Sequence, residues 1–298
     1  MNKFMIIDGN SLACRAEFAH NPKFGSDLMN SNGKITGGTY RFINMLIKLL
    51  NKIKPTHIVV VWDVNRNTWR RKLYPQYKMN REKENNINKD NLYIMFEDVK
   101  KILNSIGIIN VEFDGYEGDD LVGTFANIST ADKNFIISGD KDTFQLVDQY
   151  TSIIFPKNGF KEIDIINEKF IKDKYDVSPK QFIELKALMG DSGDNIPGIK
   201  GCAEKTAAKL LNKYGNIQNI INAQDINVKG INKKVISAIE DWKPLANTIL
   251  KLVTIDIHVP IELEFEDCKL NINWNNALSI FQELEFNSLI NKINNLYE

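Results

Sequence analysis

The chain has 298 residues, 43% of them hydrophobic and 26% charged, with a formal net charge of zero. That is enough for one large domain or two modest ones, and it excludes a globally basic nucleic-acid binder, leaving only local segregation of charge as a route to such binding. Cys14, Cys202 and Cys268 are widely spaced and form no CxxC pair, which excludes a disulfide framework and a cysteine zinc site.

The opening MNKFMIID is too short for a secretory signal, and no later run reaches membrane-spanning length, so a cytoplasmic protein is expected. The apolar run Phe4–Ile7 reads as a strand ending in Asp8. Asn10 or Ser11 is placed to cap a helix from about Leu12, and that helix carries Arg15. The stretch 21–34 is polar and rich in turn formers, which predicts a loop. Phe42, Ile43, Leu46, Leu49 and Leu50 recur at helical spacing across 39–52, and Pro55 ends that helix. His57–Trp62 (HIVVVW) is the strongest strand signal, and it terminates in Asp63.

Between 66 and 89 the sign of the charge reverses. Arg66, Arg70, Arg71, Lys72, Lys78, Arg81, Lys83 and Lys89 stand there against Glu82 and Glu84, with Trp69, Tyr74 and Tyr77 interleaved. Cations for phosphates and rings for bases suit a strand of nucleic acid, although a solvated loop has the same composition. A helix over 92–106 follows, closed by Gly107. Next comes YEGDDLVGTFANISTADKNFIISGDKD, residues 116–142, around which the chain is organised. Glu117, Asp119 and Asp120 open a helix, and Asp140 and Asp142 follow the apolar run 135–137.

Three apolar runs therefore end in carboxylates, with helical sequence between them. That predicts a parallel sheet with its acids gathered outside the carboxyl edge. Two like charges about 4 Å apart repel by roughly 4 kcal/mol at an effective dielectric near 20, so such a cluster needs protons or cations. No comparable group of Lys and Arg stands at the strand ends in the sequence, and hard divalent ions with oxygen ligands are the expected answer.

Beyond 142, a helical turn over 144–147, a strand over 151–155 and helices over 169–175 and 179–189 are expected. Gly190 closes the last helix, and Asp191 and Asp194 lie near enough to share an ion. Ile196-Pro197-Gly198-Ile199-Lys200-Gly201 then reads as a hairpin before a helix over 203–213, whose first amides can meet a phosphate without reading a base. His20, His57 and His258 stand in no motif.

With these residues in place the chain resembles the 5′-nuclease family: the 5′-to-3′ exonuclease domain of bacterial DNA polymerase I, phage flap endonucleases and free-standing bacterial relatives. The resemblance runs from Phe4 to about Ile290 and rests on five ordered motifs. They are DGNS at Asp8–Ser11, Asp63 after its strand, YEGDD at Tyr116–Asp120, SGDKD at Ser138–Asp142, and MGDSGDNIPG at Met189–Gly198. A final helix, SIFQELEFNSL at Ser279–Leu289, also resembles the family's end.

The resemblance implies an α/β fold: a PIN-like, twisted, mainly parallel sheet flanked by helices, with a helical arch at about 65–92 and a helix-hairpin-helix subdomain. Residues 1–178 would be the catalytic domain, and 179–298 the hairpin subdomain with the C-terminal helices. The implied activity is two-metal hydrolysis of DNA carrying 5′ flaps, nicks or free 5′ ends, by a free-standing monomer in replication or repair. Asp8, Asp63, Glu117 and Asp119 would centre on one Mg²⁺ and Asp120, Asp140, Asp142 and Asp194 on a second, with Asp191 beside it and Mn²⁺ able to substitute. Lys78 and Arg81 match the arch residues at the scissile phosphate, Arg15 and Arg70 match phosphate contacts, and Tyr77 matches a base-stacking position. Ile196, Gly198, Lys200, Gly201, Lys205 and Thr206 would grip duplex DNA, with K⁺ held by hairpin carbonyls. Ala203 departs from the family's second hairpin glycine, which puts that cation and close phosphate approach in doubt. The rivals are a PIN-type ribonuclease and a non-catalytic structure-specific DNA-binding protein. RNA–DNA hybrids stand as a further substrate.

Overall fold

A computed structural model of the protein describes residues 1–18, 28–82, 89–157 and 162–297. His20, the first half of the expected loop at 21–34, and Lys83 lie outside the described residues, as does the side chain of Arg81.

The strands are β1 (Lys3–Asp8), β2 (His57–Trp62), β3 (Ile109–Glu112), β4 (Lys133–Ile137), β5 (Thr151–Lys157) and β6 (Glu162–Ile166). Among the described residues they form a six-stranded sheet in the order β3-β2-β1-β4-β5-β6. All neighbours run parallel except β5 and β6. Helices cover both faces, which is why β2 is buried along its whole length and reads as a continuous apolar run. Phe4, Ile6, Val59, Val61 and Ile136 face one core, while Met5, Ile7, Val60, Trp62 and Ile137 face the other. This is the two-residue alternation of extended chain. β3 and β6, at the two ends of the sheet, carry no strong apolar run, and sequence reading passes over them.

The strand order reverses at β1. β2 lies on one side of it and β4 on the other, so a crevice opens between the carboxyl ends of β1 and β4. The helices α1 (Gly9–Phe18), α2 (Gly37–Ile53) and α4 (Lys89–Ser105) pack on one face, and α5 (Gly118–Ile128) packs on the other. α1 starts immediately after β1 rather than at Leu12, because Asp8 accepts the Ser11 amide (2.9 Å) and serves as the cap itself. The basic window is divided between α3 (Trp69–Leu73) and a short 3₁₀ turn at Met79–Glu82.

α6 (Glu168–Tyr175) leads to α7 (Pro179–Met189), whose start is fixed by a reciprocal Ser178–Gln181 capping box. α8 (Glu204–Tyr214), α9 (Ile217–Asn222), α10 (Lys233–Trp242) and α11 (Ala246–Val253) follow and share the first core. The chain then returns beneath the sheet: Leu270 donates to the Thr56 carbonyl (2.8 Å), and Phe265 stacks on His57 at 3.9 Å. It delivers α12 (Leu278–Glu283) and α13 (Asn287–Tyr297) to the second core, against the sheet rather than against the hairpin helices. The single helix expected over 279–289 is two. Glu285 adopts left-handed backbone (φ 59°) and the Phe286 amide closes the turn on the Phe281 carbonyl (2.8 Å), which tucks both rings into the core.

Candidate functional site

The floor of the crevice is built by Asp8, Asp63, Asp119 and Asp140. Asp8 ends β1, and the residue after it must be glycine, because a Cβ at Gly9 would lie 2.7 Å from the Trp62 ring. Asp8 Oδ1 accepts from the Ser11 amide, and its Oδ2 accepts from Ser138 Oγ (2.8 Å) across the β1/β4 gap. Asp63 follows β2 and accepts from the Gly118 amide (2.6 Å), which ties it to the start of α5. Asp140 follows β4 and caps the 3₁₀ turn Lys141–Leu146 by accepting the Asp142 amide (2.9 Å).

Asp8 is buried and Asp119 half-buried, Asp63 and Asp140 are exposed, and the four acids repel one another. Burial pushes the Asp8 carboxyl up to about 7, with Asp63 and Asp140 adding to the rise and the Ser11 and Ser138 bonds opposing it. Burial also raises Asp119 well above the usual carboxylate range, assisted by the charges of Asp140, Asp8, Asp63 and Asp142. Among the described residues no Lys or Arg forms an ion pair with Asp8, Asp119 or Asp140.

The adjoining wall is different. Lys186 Nζ sits 2.7 Å from Asp142 Oδ1 and 2.8 Å from Asp191 Oδ2. Asp191 Oδ1 is held by the Gly193 and Asp194 amides. Carboxylate oxygens of Asp142, Asp191 and Asp194 all lie within 4.8 Å of one another. Lys78, in left-handed backbone (φ 56°), donates its amide to the Asp194 carbonyl (2.9 Å) and its Nζ to Glu117 Oε2 (2.9 Å), with Asp194 at 3.8 Å. Burial opposes the Glu117 charge, but Lys78, Arg70 and the Tyr77 hydroxyl outweigh it and hold the carboxyl below its ordinary range. Burial likewise raises Asp142 to about 6, with Asp140 adding to the rise and Lys186 opposing it. The expectation that no cations stand at the strand ends is therefore corrected for this wall: Lys186 and Lys78 arrive from α7 and the arch, far away in sequence.

Several expected roles also change. Asp120 is fully buried, and Arg70 clamps both its oxygens at 2.7 Å, while the Asp256 amide adds a further bond, so it has no lone pair directed at the crevice. Arg70 is itself 3% exposed, gives two further donors to the Leu252 and Thr254 carbonyls and lies 3.7 Å from Glu117 Oε2, so it is a buried clamp rather than a phosphate contact. Tyr77 is buried with its hydroxyl on Glu117 Oε2 (3.0 Å), and its ring is unavailable to stack on a base.

In the hairpin, the Ile196 amide and carbonyl are both consumed by a bridge to Asp191 (2.7 and 2.8 Å) and its side chain is buried. Gly198 is required by packing, since a Cβ there would fall 2.1 Å from the Met189 backbone. Ile196 is thus committed to the loop itself, while Gly198 stays half-buried. Lys200, Gly201 and Lys205 are exposed at the start of α8, with Thr206 half-buried beside them. Arg15 lies half-buried on the floor, its guanidinium 3.4 Å from the Gly139 carbonyl and so close over Gly139 that a Cβ there would meet it at 2.1 Å. Lys186 is the site residue that sequence reading missed. It stands between Leu185 and Ala187 in an ordinary amphipathic helix, and its one sequence signal is its nearness to Asp191.

The donor set consists of carboxylates converging on one crevice, the composition that hard divalent ions require. Residues 3–176 match the profile of the 5′-3′ exonuclease N-terminal resolvase-like domain, and 177–276 match that of the 5′-3′ exonuclease C-terminal SAM fold. The chain is 31% identical over 282 residues to a 5′-3′ exonuclease of Bacillus subtilis, covering 94% of this chain and 92% of that protein. It is 34% identical over 294 residues to DNA polymerase I of the same species, covering 98% of this chain but 32% of the polymerase. The chain thus spans about a third of the length of the polymerases it matches. Its fold is shared with the bacteriophage T5 flap endonuclease, solved as a pseudo-enzyme–product complex with DNA and metal ions. That likeness has a TM-score of 0.71 and 22% identity, and covers 86% of this chain and 90% of the other.

Proposed function

The chain belongs to the 5′-3′ exonuclease family, and from that premise we propose that it hydrolyses phosphodiester bonds of DNA at 5′ flaps, nicks or free 5′ ends, as a cytoplasmic monomer serving replication or repair. The observation that carries the reading is the floor of the crevice, where Asp8 and Asp119 are desolvated with no cation against them beside Asp63 and Asp140. A fold that places such carboxylates at a strand-order reversal without pairing them is prepared for a ligand that brings the positive charge.

Asp8, Asp63, Asp119 and Asp140 would hold one divalent ion, Mg²⁺ or Mn²⁺. Asp142, Asp191 and Asp194 would hold a second, with Glu117 between the two sets. When bound, such ions lower the pKa of water and offset charge on the phosphoryl oxygens. The protein's own groups do the rest. Lys78 is poised at the mouth of the crevice on a backbone fixed by Asp194, from where its ammonium can turn from Glu117 to an entering phosphate. Arg15, over Gly139, offers a second cation to the same phosphate. Lys200, Gly201, Lys205 and Thr206 form an exposed grip for duplex backbone, away from the reacting bond. Arg70 and Asp120 act at one remove, fixing the start of α5 and with it Glu117 and Asp119.

The test is a 5′-labelled flap duplex incubated with the protein with and without Mg²⁺ and sized on a denaturing gel. Metal-dependent release of a fragment cut near the single-strand/duplex junction is the expected result. Binding without cutting in both Mg²⁺ and Mn²⁺ would overturn the reading in favour of a non-catalytic DNA-binding protein.

A further inference from the structure

The two halves of the carboxylate cluster differ in how they are held together. Oxygens of Asp142, Asp191 and Asp194 are gathered within 4.8 Å, and an ammonium bridges two of the three residues. Lys186 reaches that position from the last turn of α7, with a side chain only 17% exposed, between an acid of the 3₁₀ turn after β4 and one of the loop after α7. Asp191 is oriented toward it, because its other oxygen is bound by the Gly193 and Asp194 amides. A single ammonium with three donors meets two carboxylates at hydrogen-bond length, in the place where a small dication would meet the same oxygens at roughly 2.0–2.1 Å. The lysine and the ion would compete for the same lone pairs.

We propose that Lys186 is a positioning residue that holds the place of the second divalent ion: it keeps Asp142 and Asp191 gathered in the metal-free protein and must leave their shared face when that ion binds. The inference rests on the metal-dependent nuclease reading above. Its consequence is an order of binding. The ion on the floor meets Asp8, Asp119 and Asp140, which form no ion pair with Lys or Arg among the described residues, and binds first. The ion on the wall binds second and more weakly, and its site fills best when a DNA phosphate supplies further negative charge to offset the displaced ammonium.

The experiment is a calorimetric titration of the metal-free full-length chain with Mn²⁺, for the natural protein, Lys186→Met and Lys186→Arg. Two phases are expected in the natural protein. Lys186→Met should tighten the weaker phase about tenfold or more, since a full positive charge has left the site, and keep the tighter phase within about twofold. Lys186→Arg should keep the weaker phase weak. A weaker phase that is unchanged or further weakened in Lys186→Met overturns the inference.

A measurement on the natural protein guards against a variant that fails to fold. With ¹³C-labelled lysine, the Lys186 side-chain signal, identified by its absence in Lys186→Arg, should move with the second Mg²⁺ phase and not the first. A Lys186 signal that stays still at saturation overturns the inference while leaving the nuclease reading intact. Absence of any metal-binding phase, together with absence of flap cleavage, overturns both.

Discussion

The floor and the wall of the crevice use the same side chain for opposite electrostatic ends. On the wall, each acid is met by a cation or by amides: Asp142 and Asp191 by Lys186, Glu117 by Lys78, and Asp191 again by two backbone N–H groups. On the floor, buried Asp8 and half-buried Asp119 stand without ion pairs among the described residues, and their carboxyls are driven upward, as is that of Asp142 on the wall, where Lys186 opposes the rise. A protein could neutralise every buried acid in the way Arg70 neutralises Asp120, with a bidentate clamp. Leaving some uncompensated within a few residues of that clamp is a local sacrifice of stability, and it marks where an external cation belongs.

The contrast is broken most severely by removing a charge from the floor. Asp119→Asn should lower flap cleavage on the order of 10³-fold while leaving DNA affinity within a few-fold, because the change removes charge complementarity at the reaction centre and no duplex contact. Cleavage within tenfold of the natural protein would move the reaction centre away from Asp119. The matching change at the clamp should act on folding instead. Arg70→Met leaves Asp120 buried and unpaired, and a loss of about 3–5 kcal/mol is expected in denaturant unfolding. A loss below about 1 kcal/mol would mean that Asp120 is not the buried partner described.

Lys78→Ala sharpens the comparison from the arch side. Lys78 is about a quarter exposed and its partner Glu117 retains Arg70 and Tyr77 nearby, so stability should shift by no more than about 1 kcal/mol. Turnover should fall on the order of 10²-fold with duplex affinity nearly unchanged. Loss of affinity with intact turnover would reassign Lys78 from the scissile phosphate to substrate grip.

Much of this site was legible in the chain because its floor is local in sequence. Asp8, Asp63 and Asp140 each follow the end of an apolar run, and a parallel sheet brings such ends together whatever the intervening helices do. Glu117 and Asp119 were legible as a helix start for the same reason. Arg70 and Tyr77 changed roles, and Lys186 escaped notice, through contacts made far along the chain: Arg70 with Leu252 and Thr254, Tyr77 with Glu117, and Lys186 with Asp142. A basic–aromatic stretch looks the same in composition whether its members turn to solvent or fold inward to clamp acids. Gly198 was expected to help grip duplex DNA, and the structure packs its α-carbon against the end of α7. β3 and β6 escaped notice because short strands at the ends of a sheet need little apolar sequence.

The smallest expected effect is one of pH, and it involves Asp8 and Asp119 on the floor together with Asp142 on the wall, which burial raises to about 6. Asp8 titrates at about 7 in the fold against 3.8 in a free carboxylate, and Asp119 shifts in the same direction. A raised folded-state value means that the native protein binds more protons than the unfolded chain between those limits. The stability they contribute is complete below about pH 4 and drains away as pH rises through about 7, opposite to the behaviour of Glu117, whose lowered value favours the fold once pH exceeds its unfolded range. The metal-free protein should therefore melt a few degrees lower at pH 8 than at pH 6, a change of roughly 1–2 kcal/mol. Saturating Ca²⁺ or Mg²⁺ should reverse the loss by occupying the deprotonated floor. Asp119→Asn should reduce the pH dependence of the metal-free melting temperature, with Asp8 still titrating, and weaken its response to Mg²⁺. If melting were equally pH-dependent in that variant, the uncompensated charge would lie elsewhere, because the substitution removes from the floor the group that burial and neighbouring carboxylates both drive toward its protonated form.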